Sequence, residues 1–222
     1  MTKPQLLIDQ PAGIGDILWI QKITKVLSEK YEVFHPVKDS ISWMVDYMPN
    51  LCTIKEVPFP CDKVLKLDGI DALYPGKRIM ETKYLCVNID WKDYLEYINI
   101  KRNKEKEEEL FSLVSSGKPY RLVCPYYGTP ETKTSSGALK MDIPLSTSLD
   151  NIEMRNIEGY TLFDWLKVIQ KAEEIYTTDS AIMFLIELYP CKATELVCYT
   201  RRHSSKEIEY MFNKKWSYPE WI

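Results

Sequence analysis

Three apolar residues, Leu6, Leu7 and Ile8, run up to Pro11. The chain then passes through Gly13 and Gly15 and resumes with Ile17, Leu18, Ile20, Ile23, Val26 and Leu27 at helical spacing. That change of period predicts a strand, a tight glycine turn and a helix. In an open α/β sheet such a turn lies at the carboxyl end of its strand, where ligands bind. Asp16 is the turn's one carboxylate and falls in the first turn of the helix. Two roles are open to it. As a cap or dipole-stabilising acid it is worth about 0.5 to 2 kcal/mol; as a catalytic group it serves acid–base chemistry at the strand end.

The same alternation continues downstream. YEVFHPV reads as a strand, ISWMVDYM as a short amphipathic helix ending at Pro49-Asn50, and TIKEV and KVLKL as strands about the Pro58 to Pro60 turn. From Asp71 to Ile100 the pattern weakens into an irregular aromatic segment with Tyr74, Tyr84, Trp91, Tyr94 and Tyr97, either packed on the sheet or facing a ligand. NKEKEEELFSLVSSG is a helix with a solvated charged face, closed by Gly117. YRLVCPYYG then repeats the opening logic, with a polar TPETKTSSG loop behind it. A second α/β unit starts there, so the boundary is expected at Ser116 to Pro119, giving domains 1–117 and 118–222.

In the second half, ALKMDIPL and NIEMRNI read as short strands. Leu162, Trp165, Leu166, Ile169 and Ala172 then form one helical stripe, followed by a strand at Ile175 to Thr177, a polar turn at Asp179-Ser180 and the helix AIMFLIEL. TELVCYT is a further strand and KEIEYMF an amphipathic helix. The tail NKKWSYPEWI, with two Trp, is expected to strap back onto the body. Alternating strands and helices place the chain in the α/β class with parallel sheets.

Composition changes this picture little. The 222 residues suffice for one domain or two small ones, and no apolar run approaches the roughly 18 residues of a bilayer span. With no signal peptide evident, the expectation is a cytoplasmic protein. Six scattered cysteines and two histidines, without a CxxC pair, argue against both a zinc site and a disulfide framework. The net charge of −3 gives no general affinity for nucleic acid. The basic clusters (Lys101, Arg102, Lys104, Lys106; Arg201, Arg202, Lys206; Lys214, Lys215) read as solvated surface.

GIGDIL after the first strand, with LFDWLKVIQKA, EIYTTD and DSAIMFLIE far downstream, resembles the GT-B glycosyltransferases, and among them the heptosyltransferase-like family 9. The resemblance spans most of the chain. It implies two Rossmann-like domains facing across a cleft, a compact GT-B fold, with the acceptor on the N-terminal side and the nucleotide sugar on the C-terminal side. The family's GD pair corresponds to Gly15 and Asp16, making Asp16 the implied general base, with Gly13 and Gly15 beside the substrate. Its D-S/T-G-x-x-H motif corresponds to Asp179, Ser180, Ala181 and Phe184, where Ala replaces Gly and Phe replaces His. Thr129 and Lys133 correspond to positions that offer hydroxyl and ammonium groups to phosphate. An Asp-Ser helix cap explains the Asp179 turn equally well.

The implied reaction is a direct, inverting displacement at the anomeric carbon. Asp16 takes the acceptor proton while Lys133 and helix N-termini stabilise the departing nucleoside diphosphate. No DxD motif stands out, so neither metal nor cofactor is expected beyond the nucleotide-sugar donor; the acceptor is a glycan, a lipid or modified DNA. Two alternatives belong to other classes. One is a phage-type glycosyltransferase of hydroxymethylated DNA bases, whose binding would be salt-dependent. The other is a non-catalytic GT-B-like protein binding nucleotide or sugar.

Overall fold

The computed structural model describes residues 2–10, 13–127, 139–201, 206 and 208–219. The chain forms two compact units, Met1–Lys101 and Arg102–Ile222. The division thus falls ahead of the expected Ser116 to Pro119. The reason is the helix Lys104–Val114, which belongs to the second unit: Lys106 Nζ donates to the Gly159 carbonyl at 2.9 Å, and Lys167 lies over the Phe111 ring at 4.9 Å.

In the first unit the elements are β1 (Gln5–Asp9), α1 (Ile14–Trp19), α2 (Gln21–Leu27), β2 (Glu32–Phe34), β3 (Pro36–Val37), α3 (Met44–Tyr47), β4 (Cys52–Thr53), β5 (Lys63–Lys66) and α4 (Ile79–Leu85). β1 is the centre of a three-stranded parallel sheet in the order β2-β1-β5, and β3 pairs in parallel with β4. Ile8, Ile17, Leu18, Trp19, Ile20 and Ile23 are buried, so the apolar stripe read from the sequence is the core of this unit. The strand expected over TIKEV is cut short after Thr53. Glu56 Oε2 accepts from the Thr53 backbone N and hydroxyl at 2.5 and 2.8 Å, a reciprocal cap that turns Ile54–Glu56 into a single 3-10 turn.

The aromatic segment resolves into packing. Trp19 meets Tyr94 and Tyr84 at ring-centroid distances of 4.2 and 5.4 Å; its Nε1 donates to the Met80 carbonyl at 2.7 Å, and the Tyr84 hydroxyl donates to the Trp19 carbonyl at 2.5 Å. These contacts clamp α4, unforeseen from the sequence, onto α1.

The second unit contains α5 (Lys104–Val114), β6 (Tyr120–Cys124), β7 (Tyr126–Tyr127), β8 (Leu139–Lys140), β9 (Asp150–Glu153), α6 (Leu166–Lys171), β10 (Glu174–Thr178), α7 (Ile182–Leu188) and β11 (Glu195–Tyr199). Its four-stranded sheet is parallel throughout, in the order β11-β10-β6-β9, and β7 pairs antiparallel with β8. Among the described residues of KEIEYMF, the expected helix is reduced to one 3-10 turn, Glu209–Met211. The tail does strap back. Glu187 of α7 accepts from Trp216 Nε1 at 2.8 Å and from the backbone N of Asn213 and Lys214, each at 3.1 Å, while Ser217 makes a parallel bridge with Val197.

Candidate functional site

In the first unit the candidate chemistry sits where β1 turns into α1. Gly13 is the N-cap with extended backbone (φ −77°, ψ 179°), Gly15 is the second helical residue, and Asp16 the third. No side chain caps this helix, so the capping role open to Asp16 is not the one it plays. Its carboxylate instead forms a close ion pair with the Lys83 ammonium of α4. The Lys83 side chain is 4% exposed and that of Asp16 28%. Asp16 therefore keeps a face to solvent while a nearly buried cation fixes its position, and the N-terminal end of α1 adds a favourable field.

Elsewhere in the first unit, Lys22 of α2 pairs with Asp93, whose carboxyl is held below its ordinary range chiefly by the hydrogen bond from Lys22. Gln10, the residue that follows β1, is buried, and among the described residues neither its amide nitrogen nor its amide oxygen has a hydrogen-bond partner. Leaving buried polar atoms unpaired costs about 1 to 3 kcal/mol each. Lys83 and Gln10 were not singled out from the sequence. Only the strand-end position of Gln10 was a signal for either.

In the second unit the expected residues part company. Thr129 and Lys133 lie outside the described residues. Asp179, Ser180 and Ala181 form the turn between β10 and α7, but Asp179 does not cap the helix. Ala181 holds the N-cap position, and no side chain caps this helix. Asp179 Oδ1 accepts from the Arg201 backbone N at 2.8 Å, from Arg201 Nε at 2.9 Å and from the Thr178 hydroxyl at 3.1 Å. Phe184, at the position where the resemblance has His, is buried and packs edge-on against Phe212 at 5.3 Å. That side chain is core.

A cavity of about 310 Å³ opens by the carboxyl ends of β6 and β9, walled by Val123, Pro125, Met141, Ile143 and Leu145, with Lys140, Asp142 and Glu153 at its polar side. Its volume is at the lower end of the range usual for small-molecule sites, about 300 to 1,000 Å³. Glu153 accepts from Tyr126 at 2.6 Å and from Lys140 at 2.8 Å, and these two hydrogen bonds, Lys140's first, hold its carboxyl below the ordinary range. Tyr127, Tyr176 and Tyr199 pack against the cluster of Val123, Met141 and Ile143. Among the described residues, no group of three or more His, Cys, Asp or Glu is placed to hold a metal ion, and no helix is long and apolar enough to cross a membrane.

No family model matches the chain, and no curated protein matches it in sequence. Solved structures do match. A glycosyl transferase of family 9 from Veillonella parvula is similar over 90% of this chain and 82% of its own, with a TM-score of 0.51 at 9% identity. The iron-containing dodecameric glycosyltransferase TibC from enterotoxigenic E. coli is similar over 90% of this chain, with a TM-score of 0.54 at 10% identity. The chain spans only 58% of TibC's length. TibC has also been solved in complex with ADP-D-β-D-heptose, and that structure matches with a TM-score of 0.52 at 10% identity over 89% of this chain. Two α/β units with parallel sheets, and structural similarity along nine-tenths of the chain, give this protein a fold like that of the family 9 glycosyltransferases.

Proposed function

We propose that the protein is a glycosyltransferase that moves a sugar from a nucleotide-sugar donor to a hydroxyl acceptor. The observation that carries the reading is the Asp16 carboxylate, set by Lys83 at the carboxyl end of β1 and still open to solvent. In the step proposed, the acceptor oxygen attacks the anomeric carbon as Asp16 takes its proton. The bond from that carbon to the diphosphate breaks, and the configuration inverts. The acceptor lies on the first unit, where Gln10 opens the same turn with no hydrogen-bond partner for its amide among the described residues and so favours a polar occupant. The nucleotide lies on the second unit, near Tyr127 to Lys133 and Thr178 to Ala181. The fold and the ADP-heptose complex of TibC support this assignment.

The test is Asp16→Asn. The variant keeps the size of the side chain but leaves the nearly buried Lys83 ammonium without its counter-charge, so the melting temperature is read alongside; in the folded variant sugar transfer should fall by about 10² to 10⁴-fold, the usual worth of acid–base catalysis. Donors are found first by thermal shift, since a ligand at about 100 times its dissociation constant adds roughly 2.7 kcal/mol of stability. A folded Asn variant that transfers at the parent rate removes Asp16 from the chemistry and favours a non-catalytic binding protein.

A further inference from the structure

Arg201, which the sequence presents as one of several solvated basic residues, is held in place from two directions. Its Nε and its own backbone N converge on Asp179 Oδ1, and the Tyr127 ring centroid lies 5.8 Å from its guanidinium carbon. The Arg201 side chain is 43% exposed, whereas Asp179 beneath it is 10% exposed. Hydrogen bonds to Arg201 among the described residues use Nε and the backbone only. Among the described residues neither Nη group has a hydrogen-bond partner.

An ion pair this open to solvent adds about 0 to 1 kcal/mol to stability, so the fold gains little from it. What the pairing does achieve is orientation. A guanidinium fixed through Nε presents a planar fork of N–H donors, the geometry that matches phosphate oxygens. Asp179 adds little repulsion of its own, because the oxygen nearest the guanidinium already accepts three hydrogen bonds.

The neighbour on the other side fixes the kind of ligand. Tyr127, beneath the guanidinium, also packs against Val123, Met141 and Ile143, three residues that wall the cavity of about 310 Å³. Tyr127 thus touches the oriented cation on one side and, on the other, residues that wall the cavity. A molecule with a planar, weakly polar end and an anionic end suits both, and a nucleoside diphosphate has that form.

We infer that Arg201 binds the diphosphate of the donor and that Asp179 is its positioning residue, an assignment that rests on the glycosyltransferase reading above. Calorimetric titration of the full chain tests it, with inorganic pyrophosphate, ADP, UDP and GDP as probes and the matching nucleosides as controls. Arg201→Gln should weaken the diphosphate that binds best, and pyrophosphate with it, by at least about tenfold, while binding of the matching nucleoside stays at the parent value. Arg201→Lys should recover part of the loss, since it restores charge without the fork. Asp179→Ala should weaken the diphosphate by a smaller factor than Arg201→Gln.

An Arg201→Gln protein that binds the diphosphate as tightly as the parent overturns the inference and leaves the glycosyltransferase reading standing. Equal losses for diphosphate and nucleoside also overturn it, because they show a structural role. A parent chain that binds none of the four probes overturns the reading itself, and the assignment of Arg201 falls with it.

Discussion

His35 lies between β2 and β3 with no exposed surface, its Nδ1 3.3 Å from the Thr24 hydroxyl and its Nε2 without a partner. Burial lowers its pKa from the ordinary 6.5 to about 4. The folded chain then keeps this ring neutral while the unfolded chain takes up a proton. Stability is full above pH 6.5, declines as pH falls below it, and has lost about 3 kcal/mol from this group by pH 4. His35→Leu should flatten that part of the acid profile, read as the urea midpoint at pH 7 and at pH 4.5. A variant as acid-sensitive as the parent would move the effect to the carboxylates. Asp16 shows how far local sequence reaches. Its place in the first turn of α1 is legible from LLIDQPAGIGDIL, but its role turns on Lys83, 67 residues away. Arg201 was read as solvated for the same reason, since its partner Asp179 is 22 residues distant.

Among the elements, α4 is the one that the hydrophobic pattern conceals. Its buried face is Thr82, Lys83 and Tyr84, whereas Ile79 and Leu85 are exposed, so periodicity in apolar residues points away from the true packing face. α4 is held instead by polar and aromatic contacts: the Tyr84 hydroxyl on the Trp19 carbonyl, Trp19 Nε1 on the Met80 carbonyl, and Lys83 on Asp16. Lys83→Met should therefore cost about 1 to 3 kcal/mol, because it leaves Asp16 without its counter-charge. Chemical denaturation measures the cost, and sugar transfer should fall with it if α4 positions the carboxylate. Unchanged stability and unchanged transfer together would make α4 incidental to Asp16. By contrast β1, α1, β6, β10, α7 and β11 were legible, because each buries apolar residues at the period of its own element.

In each of the two larger parallel sheets a candidate group follows the carboxyl end of a central strand, Asp16 after β1 and Asp179 after β10, the placement common to open α/β sheets. Where one unit ends and the next begins was less legible, because α5 carries a charge run on one face and gives no sign of which sheet its other face serves. The C-terminal segment was expected to return to the body, and the structure shows how: Glu187 gathers the backbone of Asn213 and Lys214 together with the Trp216 indole, and Phe212 covers Phe184. Trp216 is buried, and Trp216→Ala should cost about 3 to 5 kcal/mol, seen as a lower urea midpoint. A loss under about 1 kcal/mol would show that the indole carries little of the tail's attachment. Within the sheet, β11 is the outermost strand on its side, and Ser217 lies against it, donating to the Leu196 carbonyl at 2.8 Å and accepting from the Cys198 N at 2.9 Å. Those two hydrogen bonds occupy main-chain groups that would otherwise face outward as a template for another molecule's backbone. The tail thus covers that edge, and a chain ending at Asn213 should aggregate with a rate that rises with protein concentration, even where Asp16 and Arg201 are intact.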